Sequence, residues 1–438
     1  MIESFSVENF LSFRTKQTLS FEASASKDFE EMFCVEVKPG VRLLKLGVLY
    51  GANASGKTNL LKALDFLRSF VLHPKSEKAE STGHIPFLFD DEYEHRPGVF
   101  SLVFYVDGIK YLYNMSLGKD TVYDEHLQYY PSSRPALFFQ RKYDATNEKS
   151  MIEFGGTLGF SASEKSLIEG LTIANTSVLA AFSKANIRKS LFNDVYGWFA
   201  KDFMKIILPG TGLTGYTCNK VEKNSERKDV VLQVLQKADF NIVDIKFEQK
   251  KIKINEPAEI DALAPSLPDD LKKQIVKDGY IAARDFTFTH KTGLAEKPLP
   301  KELESSGTMR YYGLAGVLNR LLEPNTFLMV DEMENSLHTD LVSHFIKTFL
   351  MNAPASQLLF TTHNINLLSE DYMRRDVVWF AEKSDLGETA LFSLVDFKLH
   401  KNLSPLNAYK TGKLGAKPHT YSVIFKLLDA ENKTEITS

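Results

Sequence analysis

Eight consecutive residues, Gly51-Ala52-Asn53-Ala54-Ser55-Gly56-Lys57-Thr58, fit the pattern G-x-x-x-x-G-K-[ST]. Glycines at these places let successive backbone N–H groups turn inward around phosphate oxygens. The helix that follows adds the positive partial charge of its N-terminus. Gly51, Asn53, Ala54, Ser55, Gly56 and Asn59 line that cradle, Lys57 reaches the β- and γ-phosphates, and the Thr58 hydroxyl suits Mg²⁺. A second candidate is Asp331, which ends the apolar run Phe327-Leu328-Met329-Val330. It would hold Mg²⁺ through water opposite Thr58, with Glu332 beside it to polarise an attacking water. The plainer alternative is a pair of acids opening a helix. His363 follows the apolar run Leu358-Leu359-Phe360-Thr361. There it could hydrogen-bond a γ-phosphate, or serve as a structural residue at a strand end.

These side chains need a scaffold, and its elements are readable. Lys45–Tyr50 is a short apolar strand, and Asn59–Leu72 carries Leu60, Leu61, Leu64, Leu67 and Val71 at the spacing of a buried helix face. Phe327–Val330, Leu358–Thr361 and Val377–Phe380 read as strands of a buried parallel sheet. The opening residues Ile2 to Glu22 alternate like strands, and Asp107-Gly108 marks a hairpin turn between Phe100–Val106 and Lys110–Met115. Ser163 to Leu208 is helical in character, and Thr211 to Arg227 reads as a polar mobile loop. Asn241–Ile254 and Ala282–His290 are strand-like and flank a Pro- and Asp-containing stretch, Pro257 to Asp278. A helix runs from Glu304 to Leu322, with Ser305 or Ser306 as N-cap.

Composition narrows the classes. The chain has 438 residues, with 53 Lys and Arg against 56 Asp and Glu, for a net charge of −3. Such a balance shows no global electrostatic footprint for nucleic acid, so DNA is possible as a partner but not indicated by charge. Two cysteines, Cys34 and Cys218, read as free thiols in a reducing compartment. No run of ~18 apolar residues suggests a membrane span, and the first residues lack a signal-peptide pattern. A cytoplasmic protein without a membrane partner is expected.

Taken in order, Gly51–Thr58, Glu304-Ser305-Ser306-Gly307-Thr308-Met309-Arg310, Asp331-Glu332 with Asn335-Ser336-Leu337-His338, and His363 resemble the ABC-type ATPases. Within these, the chain is similar to the branch of RecF, SMC-like and OLD-family ATPases, an AAA-family grouping. It looks most like the stand-alone RloA- and AbiL-type ATPases of bacterial phage-defence operons. Val7–Phe13 and Tyr409–Pro418 also resemble that group. The resemblance implies an α/β fold: an ABC-type P-loop ATPase with a mixed sheet and an inserted helical subdomain. It implies ATP and Mg²⁺ as cofactors, Lys57, Glu332 and His363 as catalytic residues, and Thr58 and Asp331 as metal ligands. Ser305 and Gly307 match the signature motif, which contacts the γ-phosphate held by the opposite subunit. Ser336 and Leu337 match the loop that crosses that interface, and Arg310 is a candidate cation near the phosphates. Glu304–Thr308 departs from the transporter signature.

The expected division is 1–160 for the N-terminal part of the ATPase domain, 161–240 for a mainly helical lid, and 241–438 for the C-terminal part. SMC-like relatives fill the interval between Lys57 and Asp331 with a coiled coil, but no sustained heptad occurs here. The stretch after His363 is too short for the Toprim nuclease domain of OLD proteins. The resemblance therefore implies an ATP-hydrolysing switch of an anti-phage defence system. It would form a homodimer or higher homo-oligomer around ATP and control a separate effector, Toprim-like or another nuclease. The alternative is a RecF-like DNA-repair ATPase that binds DNA.

Overall fold

A computed structural model describes residues 1–253, 272, 275–277, 279–293, 295–397 and 404–416. The chain opens with β1 (Ile2–Glu8) and β2 (Gln17–Ser20), then the ribbon β3 (Cys34–Lys38) and β4 (Val41–Leu44), then β5 (Leu46–Tyr50). After the helix Lys57–Leu72 come β6 (Gly98–Val106), β7 (Ile109–Leu117), β8 (Val122–Tyr130), β9 (Ala136–Asp144) and β10 (Lys149–Phe154). These form a seven-stranded antiparallel sheet in the order β10-β9-β8-β7-β6-β1-β2. Asp107 (φ 48°) and Gly108 (φ 77°) make the β6–β7 turn, both in the left-handed region that such a tight hairpin requires. The three-stranded sheet that follows holds β11 (Ile242–Lys253), β12 (Tyr280–Thr292) and β13 (Ala295–Pro300). The Pro257–Asp278 stretch lies almost wholly outside the described residues.

The second large sheet carries the candidate chemistry. Its order is β14 (Phe327–Val330), β15 (Gln357–Thr361), β5, β16 (Val378–Lys383) and β17 (Thr389–Ser393). The first four are parallel and β17 is antiparallel, so the sheet is mixed. Every residue of β5, β14 and β15 is buried, which is why these strands read as unbroken apolar runs. The fold is the expected one: α/β with a P-loop, a mixed sheet and inserted helices.

Helices Ala162–Leu171, Val178–Lys184 and Ser190–Gly197 occupy the middle of the chain. They share one hydrophobic core with both large sheets, and Phe104 of β6 stacks on Trp198 at 4.5 Å. The helix Val178–Lys184 is anchored by a charged pair with no exposed surface, Glu125 and Arg141. Glu125 accepts the Val178 N–H (2.9 Å) and the Tyr113 hydroxyl (2.8 Å), while Arg141 donates to the carbonyls of Ile173 and Ala174 (3.0 Å each).

Two expectations need correction. The helical reading of Ser163–Leu208 stops at Asp202. Beyond it the chain is extended, and Phe203 and Ile207 form parallel bridges with Phe327 and Val330. Nor is Thr211–Arg227 a loop: it holds the helix Thr214–Val221 and the start of the helix Ser225–Lys237, capped by Asn224. The first of these helices owes its place to Gly313 and Gly316. A Cβ at Gly313 would lie 2.5 Å from Leu213 Cβ, and one at Gly316 would lie 2.1 Å from Thr217 Oγ1. A helix with few apolar residues is thus held by close packing on the helix Ser306–Leu321.

Candidate phosphate-binding site

The Gly51–Thr58 loop leaves the C-terminal end of β5, where ligands sit in parallel α/β sheets. Two residues take left-handed backbone, Ala54 (φ 61°) and Gly56 (φ 102°), which curls the loop before the helix Lys57–Leu72. The loop is pressed against the β16–β17 hairpin. A Cβ at Gly51 would stand 2.4 Å from the Ala381 carbonyl, and one at Gly56 would stand 2.0 Å from Thr389 Oγ1. Thr389 Oγ1 donates to the Ser55 carbonyl (2.9 Å) and lies 2.7 Å from Ser12 Oγ. Ser12 Oγ in turn accepts from Asn59 Nδ2 (2.8 Å). Asn59 thus serves the loop through its side chain.

Lys57 Nζ donates to the carbonyls of Gly51 (2.9 Å) and Ala52 (2.8 Å). Burial lowers the pKa of its ammonium, against the opposing pull of Asp331, Glu332 and Glu334. Thr58 Oγ1 lies 3.0 Å and 3.1 Å from the two carboxylate oxygens of Asp331. Hydroxyl and carboxylate oxygens converging in this way are the donors Mg²⁺ takes beside a triphosphate. The Asp331 backbone is itself positioned by the inserted segment, since its N–H donates to the Ile207 carbonyl at 2.8 Å.

The remaining acids follow on a tight turn. Glu332 adopts φ 48°, and its N–H donates to Thr361 Oγ1 (2.8 Å). The Thr361 hydroxyl donates to Asp331 Oδ1 at 2.6 Å. His363 stands at the rim after β15. Partial desolvation first, and then the Lys57 ammonium, push its imidazole below the ordinary histidine range. Its backbone N–H donates to Glu334 Oε1. Glu334 escaped the sequence reading because nothing local separates it from an ordinary surface acid.

Lys57, Thr58, Asp331, Glu332 and His363 therefore lie along one rim. The signature residues stand elsewhere. Ser305 caps the helix Ser306–Leu321 by accepting the Thr308 N–H (3.0 Å), and a Cβ at Gly307 would lie 2.9 Å from the Ser336 carbonyl. Among the described residues, no hydrogen bond joins Ser305 or Gly307 to residues 51–59. Among the described residues, the three guanidinium nitrogens of Arg310 are buried without a partner, and desolvation lowers its pKa.

Beside the phosphate loop lies a cavity of about 420 Å³. Its floor is Ser12 and residues 54–59, and one wall is apolar: Leu11, Ile85, Pro86, Leu88 and Phe89. Leu88 and Phe89 are 62% and 71% exposed, and Lys383 Nζ sits 5.5 Å from the Phe89 ring centre. A polar floor beside an apolar wall suits a phosphate chain joined to a planar, uncharged ring.

The fold and site define a P-loop protein with a second acidic strand end facing the loop. Residues 46–369 match the family described as "AAA domain, putative AbiEii toxin, Type IV TA system", and the chain belongs to that family. Three solved structures are similar at low identity. The SMC head domain from Thermotoga maritima is 14% identical with a TM-score of 0.41, covering 90% of this chain and 98% of its own. An SMC head bound to the C-terminal winged-helix domain of ScpA is 15% identical with a TM-score of 0.42, covering 93% and 99%. The SMC head with an extended coiled coil from Pyrococcus furiosus is 14% identical with a TM-score of 0.36, covering 95% and 99%. Among curated proteins, no sequence matches this chain.

Proposed function

We propose that this protein binds ATP with Mg²⁺, hydrolyses it, and uses the cycle as a switch in bacterial phage defence. The observation that carries the reading is the approach of Thr58 Oγ1 to the Asp331 carboxylate, 3.0 Å across 273 positions of sequence. The N–H groups of residues 53–58 and the Lys57 ammonium bind the phosphates, and leaving its two loop carbonyls costs Lys57 little once oxyanions replace them. Mg²⁺ held by Thr58 and Asp331 would neutralise charge on the β- and γ-phosphates. Glu332 accepts the proton of the attacking water, and His363, whose pKa is lowered by desolvation and by the Lys57 ammonium, donates a hydrogen bond to a γ-phosphate oxygen. Ser305 and Gly307 contact the γ-phosphate of a second copy, so that ATP closes a homodimer. Residues 161–240 serve as the lid between the 1–160 and 241–438 parts of the ATPase. The output passes to a separate effector, a nuclease of the Toprim-like or another class. The family's toxin–antitoxin description supports the defence setting.

The test is Glu332→Gln. ATP binding should persist, turnover should fall by about 10²–10⁴-fold, and light scattering with ATP should show an accumulated dimer. A variant that turns over ATP at the parent rate removes Glu332 as the base.

A further inference from the structure

Side-chain links through two residues tie the Asp331–Leu337 turn to the end of β15. One is Thr361, whose hydroxyl donates to Asp331 Oδ1 and accepts the Glu332 N–H. The other is Glu334, which accepts the backbone N–H of His363 through Oε1. The rest of the turn is shaped around Glu334: the Leu337 N–H donates to its carbonyl at 2.8 Å, and the Met333 N–H donates to the Thr361 carbonyl at 3.0 Å. Its second oxygen, Oε2, is buried and has no partner among the described residues. Among the described residues, other buried polar atoms without partners border the same strand ends, including Tyr50 Oη before the phosphate loop, Ser55 Oγ within it and Asn364 Nδ2 after His363. Among the described residues, the carboxylate is thus held through Oε1 and the His363 N–H alone, with Oε2 contributing no hydrogen bond.

We infer that Glu334 is a positioning residue: its Oε1 clamps the His363 backbone so that the His363 ring faces the γ-phosphate. The same clamp joins His363 to the Asn335–Ser336 turn, against which Gly307 packs. A displacement of His363 on phosphate release is thereby passed to the signature segment. This rests on the proposed ATP hydrolysis at Lys57, Thr58 and Asp331, and extends it to how the phosphate state leaves the site.

The test uses two conservative substitutions with opposite expectations. Glu334→Gln keeps an oxygen at the Oε1 position and removes the charge. Glu334→Asp keeps the charge and withdraws the acceptor by one methylene. With the full chain and Mg-ATP, Glu334→Gln should keep kcat within about threefold of the parent. Glu334→Asp should lose about 10–100-fold in kcat with KM within about threefold, as expected for misplacement of a catalytic group. Adding His363→Ala to Glu334→Asp should cost no more than His363→Ala alone, because both changes remove one function. The inference is overturned if the Gln variant is the poorer of the two, if both match the parent, or if the Asp and His losses multiply. If the parent chain binds and hydrolyses no ATP, the proposed function fails instead, and Glu332→Gln reports that separately.

Discussion

Thr389 lies more than 330 positions from Ser55 in sequence, yet its hydroxyl holds the phosphate loop. Thr389→Val retains the shape and deletes the oxygen. The Ser55 carbonyl then loses a donor at 2.9 Å, and Ser12 Oγ loses a neighbour at 2.7 Å. Each hydrogen bond contributes about 0.5–1.5 kcal/mol, and an unpaired buried acceptor costs about 1–3 kcal/mol. Thr389 is 1% exposed, so water offers little replacement. A total near 2 kcal/mol is reasonable, equivalent to about 30-fold in an equilibrium constant. Because Gly56 already packs within contact of Thr389, the loss falls on the loop conformation that binds phosphate. Titration of Mg-ATP by calorimetry should show Kd raised by about 10–30-fold, with the Tm of the free protein lowered by a few degrees. A variant with the parent Kd and a lowered Tm would refute the reasoning, since the hairpin would then support the fold and not the loop.

Three other measurements follow from the same geometry. Phe89→Ala should weaken ATP by the worth of one base–aromatic stack, about 1–3 kcal/mol, while leaving inorganic triphosphate binding unchanged; equal loss for both ligands would separate Phe89 from the base. Glu125→Ala strands the Arg141 charge in the core and should cost about 3–5 kcal/mol in denaturant unfolding, and a cost under about 1 kcal/mol would contradict the anchoring role. Burial lowers the pKa values of His84, His126 and His344, so the unfolded chain binds more protons than the folded one below about pH 6.5. Stability is then full above about pH 6.5 and is lost as pH falls from there through the lowered values. Substituting His84, whose Nε2 donates to the Asn9 carbonyl at 2.7 Å, with Gln should flatten that slope in pH-dependent unfolding curves.

The parts legible in the sequence are those whose cause is local. The phosphate loop declares itself because φ 102° at Gly56 and the approach of Ala381 to Gly51 admit almost no other residues. The strands β5, β14 and β15 show as apolar runs because burial on both faces leaves no polar alternation. Ser305 shows as a cap, and its Oγ accepts the Thr308 N–H as such caps do. What stayed hidden depends on distant partners. The helix Thr214–Val221 buries only Thr217, Cys218 and Val221, so its own pattern is weak, and Gly313 and Gly316 supply its seat. Residues 203–207 are extended because β14 offers them a free edge. Ser12, Thr389 and Glu334 carry no local signature, since each acts through a loop far away in sequence.

The inserted segment is bound to the site at two points, and this constrains how it can move. The Ile207 carbonyl holds the Asp331 N–H, and the Met204 and Ile207 N–H groups donate to Phe327 and Met329 at 2.9 Å, extending the main sheet by one edge. Eleven residues further on, Cys218 lies 3.5 Å from Tyr312 on the helix that begins with the signature residues, and Thr217 fills the groove at Gly316. One short connection therefore spans the acidic strand end and the signature helix. A rotation of that helix against the sheet would be shared by the segment between Leu208 and Leu213, where Pro209, Gly210 and Gly212 stand and a Cβ on either glycine would meet no neighbour within 4 Å. Glycine's backbone freedom suits such a hinge, while proline keeps it from collapsing into the adjoining helix. In the proposed cycle the insertion would follow the helix Ser306–Leu321 on one side of that hinge and the Asp331 strand end on the other.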